Sequence, residues 1–301
     1  MTMNNPSAPA PIRSKAADEQ IERMKKHTRA VRMRSALELA DRLRIMPDGT
    51  RMFARFNRAE IIEHWVLLVS FSTLGLTGLL QRYAGVYIIS LLINIVFGGI
   101  ETLRVIHHLA AIIFILQSIY HGFKILYFWF VKREMGSMFP MFKDLTDMIG
   151  MIKYNAGLSK QRPQFDRYTV EEKLEYWALI WGTLVMGLTG LMQWFPTITT
   201  QYLPGSAIPI ARVAHSLEAV LAVAAIAMWH MYHSVVKEKN QSIFSGFMSE
   251  HEMHENHPLE YQRILAAYDH IQKVKSGAEA RHHAAPAVNI PEQPVSEPTR
   301  P

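Results

Sequence analysis

The chain has 301 residues, a formal net charge of +6 and no cysteine. Without cysteine there can be no disulfide, no thiolate chemistry, no thioether-anchored cofactor and no cysteine-held iron–sulfur cluster. A mean hydropathy of +0.02 conceals a division, because polar, charged ends flank a very apolar middle.

The start is polar and carries the cationic run Arg23, Lys25, Lys26, Arg29, Arg32 and Arg34. It lacks an early apolar core, so a signal peptide is not expected. The arm to about Met46 reads as an amphipathic helix with Ile21, Met24, Val31 and Leu43 among its apolar positions. It is expected to be solvated, with docking to a partner or lipid surface as the alternative. Four stretches follow that can cross a bilayer core of roughly 30 Å, which takes about 20 helical residues. They are Ile61–Leu80, Arg104–Val131, Leu174–Phe195 and Ile208–Val236. The run Val86–Phe97 is too short and reads as an interfacial helix. The expected fold is all-α: an integral membrane four-helix bundle with two repeated helix pairs, an interfacial helix and cytoplasmic helical ends. Its expected parts are an arm (1–50), a membrane domain (51–240), a helical segment (241–276) and a disordered tail rich in Ala, Pro and Glu (277–301).

Basic residues set the expected orientation. Lys132, Arg133, Lys143, Lys153, Lys160, Arg162 and Arg167 lie between spans two and three, while Arg82 is nearly alone between spans one and two. Both termini and the middle loop are therefore expected on the cytoplasmic side of a bacterial-type inner membrane. The chain also repeats itself. Arg55-Phe, Glu63-His-Trp and Gly75-Leu-Thr-Gly-Leu match Arg167-Tyr, Glu175-Tyr-Trp and Gly187-Leu-Thr-Gly-Leu, and Arg104-Val-Ile-His matches Arg212-Val-Ala-His. Duplicated membrane helices commonly place a site at the repeat interface, and paired glycines allow close approach.

Ionisable residues at membrane depth are costly and usually functional. His107, His108 and His215 fall near the outer ends of spans two and four, whereas His64, His121, His230 and His233 fall near the inner ends. His107 and His121 are fourteen residues apart, which on an α-helix is about 40° and roughly 21 Å. His215 and His230 are fifteen apart, about 60° and roughly 22 Å. Each helix thus presents one histidine high and one low on nearly one face. Two such helices can clamp stacked b-type haems, each iron held by two imidazoles with no open position for substrate. Arg104 and Arg212 each precede a histidine by three residues, on the same helix face, and suit anionic propionates. A cross-helix hydrogen bond is the expected role of His108. For His233, ligation and packing stand level. Trp65, Trp177, Trp181 and Trp229 are expected as belt anchors and core packing. His251, His254 and His257 have a spacing that could bind metal, but a solvated helix is expected there.

These segments resemble the diheme cytochrome b family that includes the gamma subunit of formate dehydrogenase-N and the cytochrome b of nickel–iron hydrogenases. The resemblance is carried by Arg58-Ala-Glu-Ile-Ile-Glu-His-Trp, Arg104-Val-Ile-His, Gly187-Leu-Thr-Gly, His215 and Trp229-His-Met-Tyr, then by Ser242-Ile, Gly246-Phe-Met and His257-Pro, over about residues 50 to 262. It implies an inner haem on His64 and His230, an outer haem on His107 and His215, and a quinone site near the inner haem. Lys153-Tyr-Asn-Ala-Gly157 resembles the family's quinone-loop motif, which makes Asn155 a candidate, although it lies further from span three here. His121 and His233, one extra residue between the last span-four histidines, and the long arm depart from the family pattern. Spacing pairs His121 with His230, whereas the resemblance pairs His64 with His230. Two haems are expected, and a third on His121, with or without His233, is the alternative.

The expected function is that of a quinone-reactive electron-transfer subunit of a respiratory oxidoreductase complex. It would have no catalytic head of its own, since no iron–sulfur, flavin or molybdenum motif is present. The expected partner is an extracytoplasmic multihaem cytochrome c or an iron–sulfur or molybdenum dehydrogenase subunit. No nucleic-acid partner is expected. A haem-free transporter or proton relay using the intramembrane histidines, and a structural membrane anchor, are the rival readings.

Overall fold

A computed structural model describes Lys26 and residues 31–132, 136–237 and 239–284, with backbone alone for 278–284. Ile21 and Met24 of the expected arm helix, and residues 285–301 of the expected tail, lie outside the described residues.

Residues 31–40 form the first helix, α1. Two short strands follow, β1 (Leu43–Ile45) and β2 (Arg51–Ala54). Asp48 holds the turn between them, its Oδ1 accepting from the Thr50 amide at 3.0 Å and the Thr50 hydroxyl at 2.7 Å. Next come α2 (Arg58–Arg82), α3 (Tyr87–Phe97), α4 (Ile100–Tyr127), α5 (Phe142–Asn155), α6 (Val170–Trp194), α7 (Pro196–Tyr202) and α8 (Ala207–Ala225). A π-helical stretch, Phe128–Lys132, extends α4, and two more, Ile226–His230 and Tyr232–Lys237, extend α8. The chain continues through α9 (Ser242–Ser245), β3 (Phe247–Ser249), α10 (Glu250–Asn256) and α11 (Pro258–Ala284).

Four of these helices are long and apolar enough to cross a membrane: Arg58–Arg82, Ile100–Lys132, Val170–Trp194 and Ala207–Lys237. Helix α2 packs on α4, α6 on α8, and α2 on α8. Helices α8 and α2 touch closely at Gly75, where an added Cβ would stand 3.0 Å from Val223. The end where α2 and α6 begin is called proximal here, and the opposite end distal. At the distal end, α3 is sealed between the α2–α4 pair by Leu80, Ile93 and Leu103.

The described chain is predominantly helical, as an all-α membrane bundle requires, with one small addition: β1, β2 and β3 form a three-stranded sheet in that order, with β2 and β3 antiparallel and Phe53 opposite Met248. A three- or four-residue strand is too short to leave a clear alternation in the sequence. Helix α11 runs on to Ala284. The described residues form two compact units. In one, Ala40 of α1 packs against Ala267 and Ile271 of α11; the other spans residues 44–262.

A buried polar layer underlies the proximal end. Helix α2 starts in a capping box, with Asn57 accepting from the Glu60 amide at 3.0 Å and Glu60 accepting from the Asn57 amide at 2.8 Å. Helix α6 starts in the same way on Thr169 and Glu172. The two starts are clasped by Arg55, which is 2% exposed as a side chain and pairs with Glu172 at 2.8 Å. Arg55 also donates to the Arg167 carbonyl, and Arg167 donates back to the Arg55 carbonyl at 3.3 Å. Nearby, Lys173 binds both oxygens of Asp144, at 2.7 and 2.9 Å, which ties α5 to α6. His257 is 2% exposed and donates its Nδ1–H to the Asp166 carbonyl at 2.9 Å.

The Arg55 side chain is buried but that of Glu172 is 32% exposed, so breaking the pair costs about 1–3 kcal/mol, the worth of a lost charged hydrogen bond. Arg55→Met is therefore expected to lower the unfolding free energy by about that amount, read from denaturant unfolding of the purified protein in detergent. His257 supplies a pH dependence. Burial, with the Arg55 guanidinium second, pushes its ring down to about 4 from an ordinary 6.5. The neutral ring's contribution is complete above about pH 6.5 and is lost as the pH falls through about 4, some 3 kcal/mol in all. His257→Gln should flatten the fall in thermal midpoint between pH 7 and pH 4.

Candidate functional site

The distal histidines are built twice by the same parts. On α4, His107 Nδ1 lies 2.8 Å from the Thr77 hydroxyl of α2. On α8, His215 Nδ1 lies 3.0 Å from the Thr189 hydroxyl of α6. Each hydroxyl also contacts the carbonyl four residues back, Thr77 to Thr73 and Thr189 to Val185, at 2.6 Å in both cases. A hydroxyl has one proton. Spent on the carbonyl, it leaves the oxygen to accept from the ring, so Nδ1 carries the imidazole hydrogen and Nε2 is a bare lone pair. This is the arrangement by which proteins orient a metal-binding histidine.

The neighbouring glycines make room for the rings. A Cβ on Gly78 would stand 3.3 Å from His107 Cε1, and one on Gly190 would stand 3.2 Å from His215 Cε1. Behind each threonine, Gln81 and Gln193 donate to the Thr77 and Thr189 carbonyls at 3.2 and 3.1 Å. His107 and His215 lie within electrostatic range of each other. His108 leaves this pair and stacks on Trp194, ring centres 4.1 Å apart.

At the proximal end, His230 Nδ1 lies 2.7 Å from a Glu175 oxygen. An ionised carboxylate only accepts, so this ring too is held as the Nδ1–H form with Nε2 bare. His64 faces it, with ring centres 6.5 Å apart. A metal–imidazole bond of roughly 2 Å on each side, plus about 1 Å from nitrogen to ring centre, puts two rings on one metal at roughly 6 Å. The spacing is right for one shared ion.

His121 is placed otherwise. Its Nδ1 lies 2.9 Å from Glu63 and its Nε2 lies 3.1 Å from the Tyr176 hydroxyl. Both ring nitrogens are engaged. The structure thus brings His64, not His121, to His230. The π-helical stretch Ile226–His230 explains why the fifteen-residue spacing did not spoil the alignment. A π turn takes up one extra residue, so the fifteen residues turn about as far as fourteen, and His230 stands about 40° from the direction of His215 instead of about 60°. His233 is turned onto its own helix, its Nδ1 2.9 Å from the Trp229 carbonyl.

The remaining candidates are peripheral. Arg104 is bound to Glu101 at 2.6 Å and is half exposed. Arg212 and Asn155 are exposed, Asn155 as the last residue of α5. The three-residue histidine spacing near the C-terminus does not converge. His257 is buried on Asp166, His251 is exposed near Glu255, and no group of three His, Asp or Glu side chains among the described residues could hold a metal ion. The segment is not wholly solvated, because Met253, Asn256 and His257 are buried while His251, His254 and Glu255 are exposed.

Sequence reasoning missed the positioning residues Thr77, Thr189, Glu63, Glu175 and Tyr176. The signal was present, since all five stand inside the repeated motifs. It also passed over Glu218, a lone acid in the fourth apolar helix, whose Oε1 would be 2.9 Å from a Cβ on Gly182. Gly78→Leu and Gly190→Leu each place a side chain where a ring now sits. Each is expected to cost about 1–3 kcal/mol, seen as a lower unfolding midpoint in detergent. Compared with known proteins, the chain matches no protein-family model and no curated protein.

Proposed function

We propose that this chain is a b-type cytochrome subunit of a membrane oxidoreductase complex, linking a quinone pool to an extracytoplasmic redox partner. One observation carries the reading: among the histidines of the apolar helices, His107 and His215 lie at one depth and His64 and His230 at another, and three of these four are held as the Nδ1–H form, with Nε2 left free of a protein partner. A proton relay needs no such uniform tautomer, whereas axial ligation does. Haem, when bound, supplies a reversible one-electron iron centre between two imidazoles.

The residues fit that group. His107 and His215 serve the distal site, His64 and His230 the proximal one. Thr77 and Thr189 fix the distal rings, and Glu175 fixes His230 and raises its basicity as a ligand. Gly78 and Gly190 keep the space beside the distal rings clear of side chains. Arg104 and Arg212 stand one helical turn from the distal histidines and offer cations to propionates. The basic loop between spans two and three assigns the proximal end to the cytoplasmic side of a bacterial-type inner membrane. The partner, a multihaem cytochrome c or an iron–sulfur or molybdenum subunit, then docks at the distal end.

The test is a haem-to-protein ratio with an extracted-haem spectrum on the purified full chain. Two non-covalent b-type haems per chain are expected. His107→Leu and His215→Leu should each lose one, and His64→Leu and His230→Leu the other. His121→Leu and His233→Leu should keep both. Thr77→Val should weaken retention of the distal haem about tenfold. A chain without extractable haem rejects the reading, and three haems reject the assignment of His121.

A further inference from the structure

Helix α5 lies between the second and third spanning helices, and one side of it is left uncovered. Phe142, Leu145, Ile149 and Ile152 are all exposed, Phe142 at 95%. Steps of three, four and three residues place them within an arc of about 80° on one helix face. The opposite face is occupied. Met151 packs with Phe165 and Val170, Asp144 binds Lys173 of α6, and Asp147 pairs with Lys143. Both carboxylates of α5 are therefore spent away from the stripe. Lys153, beside the stripe, and Lys160, just beyond the helix, are exposed and form no ion pair among the described residues.

The height and tilt of α5 are set by α6. Val170 and Lys173 are three residues apart on α6, roughly 4.5 Å along its axis. Their partners on α5, Met151 and Asp144, are seven residues apart, roughly 10.5 Å. Helix α5 thus crosses the start of α6 at a wide angle, nearer the plane of a bilayer than its normal. One turn deeper, the Trp177 indole donates to the Met138 carbonyl just before α5, at 3.0 Å. Trp177 is the eighth residue of α6, as Trp65 is the eighth of α2. Trp129, on the proximal extension of α4, reaches Trp177 through Phe139, with ring centres 5.5 and 5.8 Å apart. Tryptophans at one level of spanning helices mark the boundary between headgroups and acyl chains. The stripe on α5 faces away from the bundle close to that boundary.

We propose that α5 docks on the proximal leaflet of the membrane, its apolar stripe entering the acyl boundary and Lys153 and Lys160 meeting anionic phospholipid headgroups. A helix of this kind lies in the interface with its apolar face roughly 5–10 Å into the headgroup and acyl boundary. The lysine stems cover apolar surface while their ammonium groups reach outward to phosphate. With Asp144 and Asp147 both paired elsewhere, the charge beside the stripe is positive, which suits an anionic leaflet. Docking would do more than anchor the loop. The Asp144–Lys173 pair and the Trp177–Met138 bond carry the height of α5 directly to α6, so the leaflet surface sets how deep the third spanning helix sits. The inference uses the spanning helices alone and does not rest on the cytochrome reading.

The chain has no cysteine, so single spin labels can be placed on the purified full chain in nanodiscs of phosphatidylcholine and phosphatidylglycerol. Collisions with oxygen, which concentrates in acyl chains, are compared with collisions with a water-soluble nickel chelate. Leu145→Cys, Ile149→Cys and Ile152→Cys should give an oxygen-to-chelate ratio several-fold above that of Glu255→Cys, an exposed position on α10. Stripe labels as open to the chelate as the one at Glu255→Cys overturn the proposal. Labels shut off from both reagents are covered by protein, such as a second copy of the chain, and overturn it as well. Native mass spectrometry of chains released from the same discs reads the headgroup preference. Lys153→Gln and Lys160→Gln should each lower the phosphatidylglycerol retained, relative to phosphatidylcholine, about fivefold, the worth of one lysine near an anionic surface. Unchanged retention in the double variant overturns the headgroup assignment.

Discussion

The site depends on where one hydroxyl proton goes. Within an apolar helix, a threonine oxygen can return its hydrogen to the carbonyl one turn back, and Thr77 and Thr189 both do so at 2.6 Å. That leaves the oxygen an acceptor. The histidine opposite must then donate from Nδ1, and its other nitrogen stays bare at membrane depth. An unpaired acceptor there is expensive unless something occupies it. The threonine thus fixes which of the two ring nitrogens keeps its lone pair.

The same contacts recur in the two helix pairs, and the departures from recurrence are informative. Glu63 holds His121 on the second spanning helix, and Glu175 holds His230 on the fourth. The residue after each glutamate differs. His64 follows Glu63 and faces His230, whereas Tyr176 follows Glu175 and bonds to His121. One change, histidine to tyrosine, separates two otherwise matching proximal corners. A bare nitrogen faces a second imidazole in one corner and is capped by a phenol in the other. The π-helical stretch ending at His230 is the second departure, and it takes up the one extra residue between His215 and His230.

The proximal polar layer explains how the corners are held. Arg55 and Arg167 exchange hydrogen bonds with each other's carbonyls, so the starts of α2 and α6 are locked in register before either helix enters the apolar region. Matching capping boxes fix the first turn of each. Glu63 and Glu175 stand on these helices one turn or more further in, so small errors at the starts would move both carboxylates away from their histidines.

Much of this was legible in the chain. Apolar runs of spanning length, basic residues concentrated in alternate loops, and Arg-x-x-His in two helices are read from hydropathy and spacing, because a bilayer imposes length and charge rules that operate along the sequence. That His107 and His215 stand in matching places at one end of the two helix pairs was readable for that reason. What the sequence could not decide was which proximal histidine meets His230. Ideal helix spacing favoured His121, and only the tertiary structure, through a π turn and the Tyr176 hydroxyl, set His64 there instead. The Thr77 and Thr189 hydrogen bonds were equally hidden, although both residues lie in a visible repeat. A motif records which side chains recur, whereas the direction of a proton depends on what stands across the helix interface, and that is a property of packing.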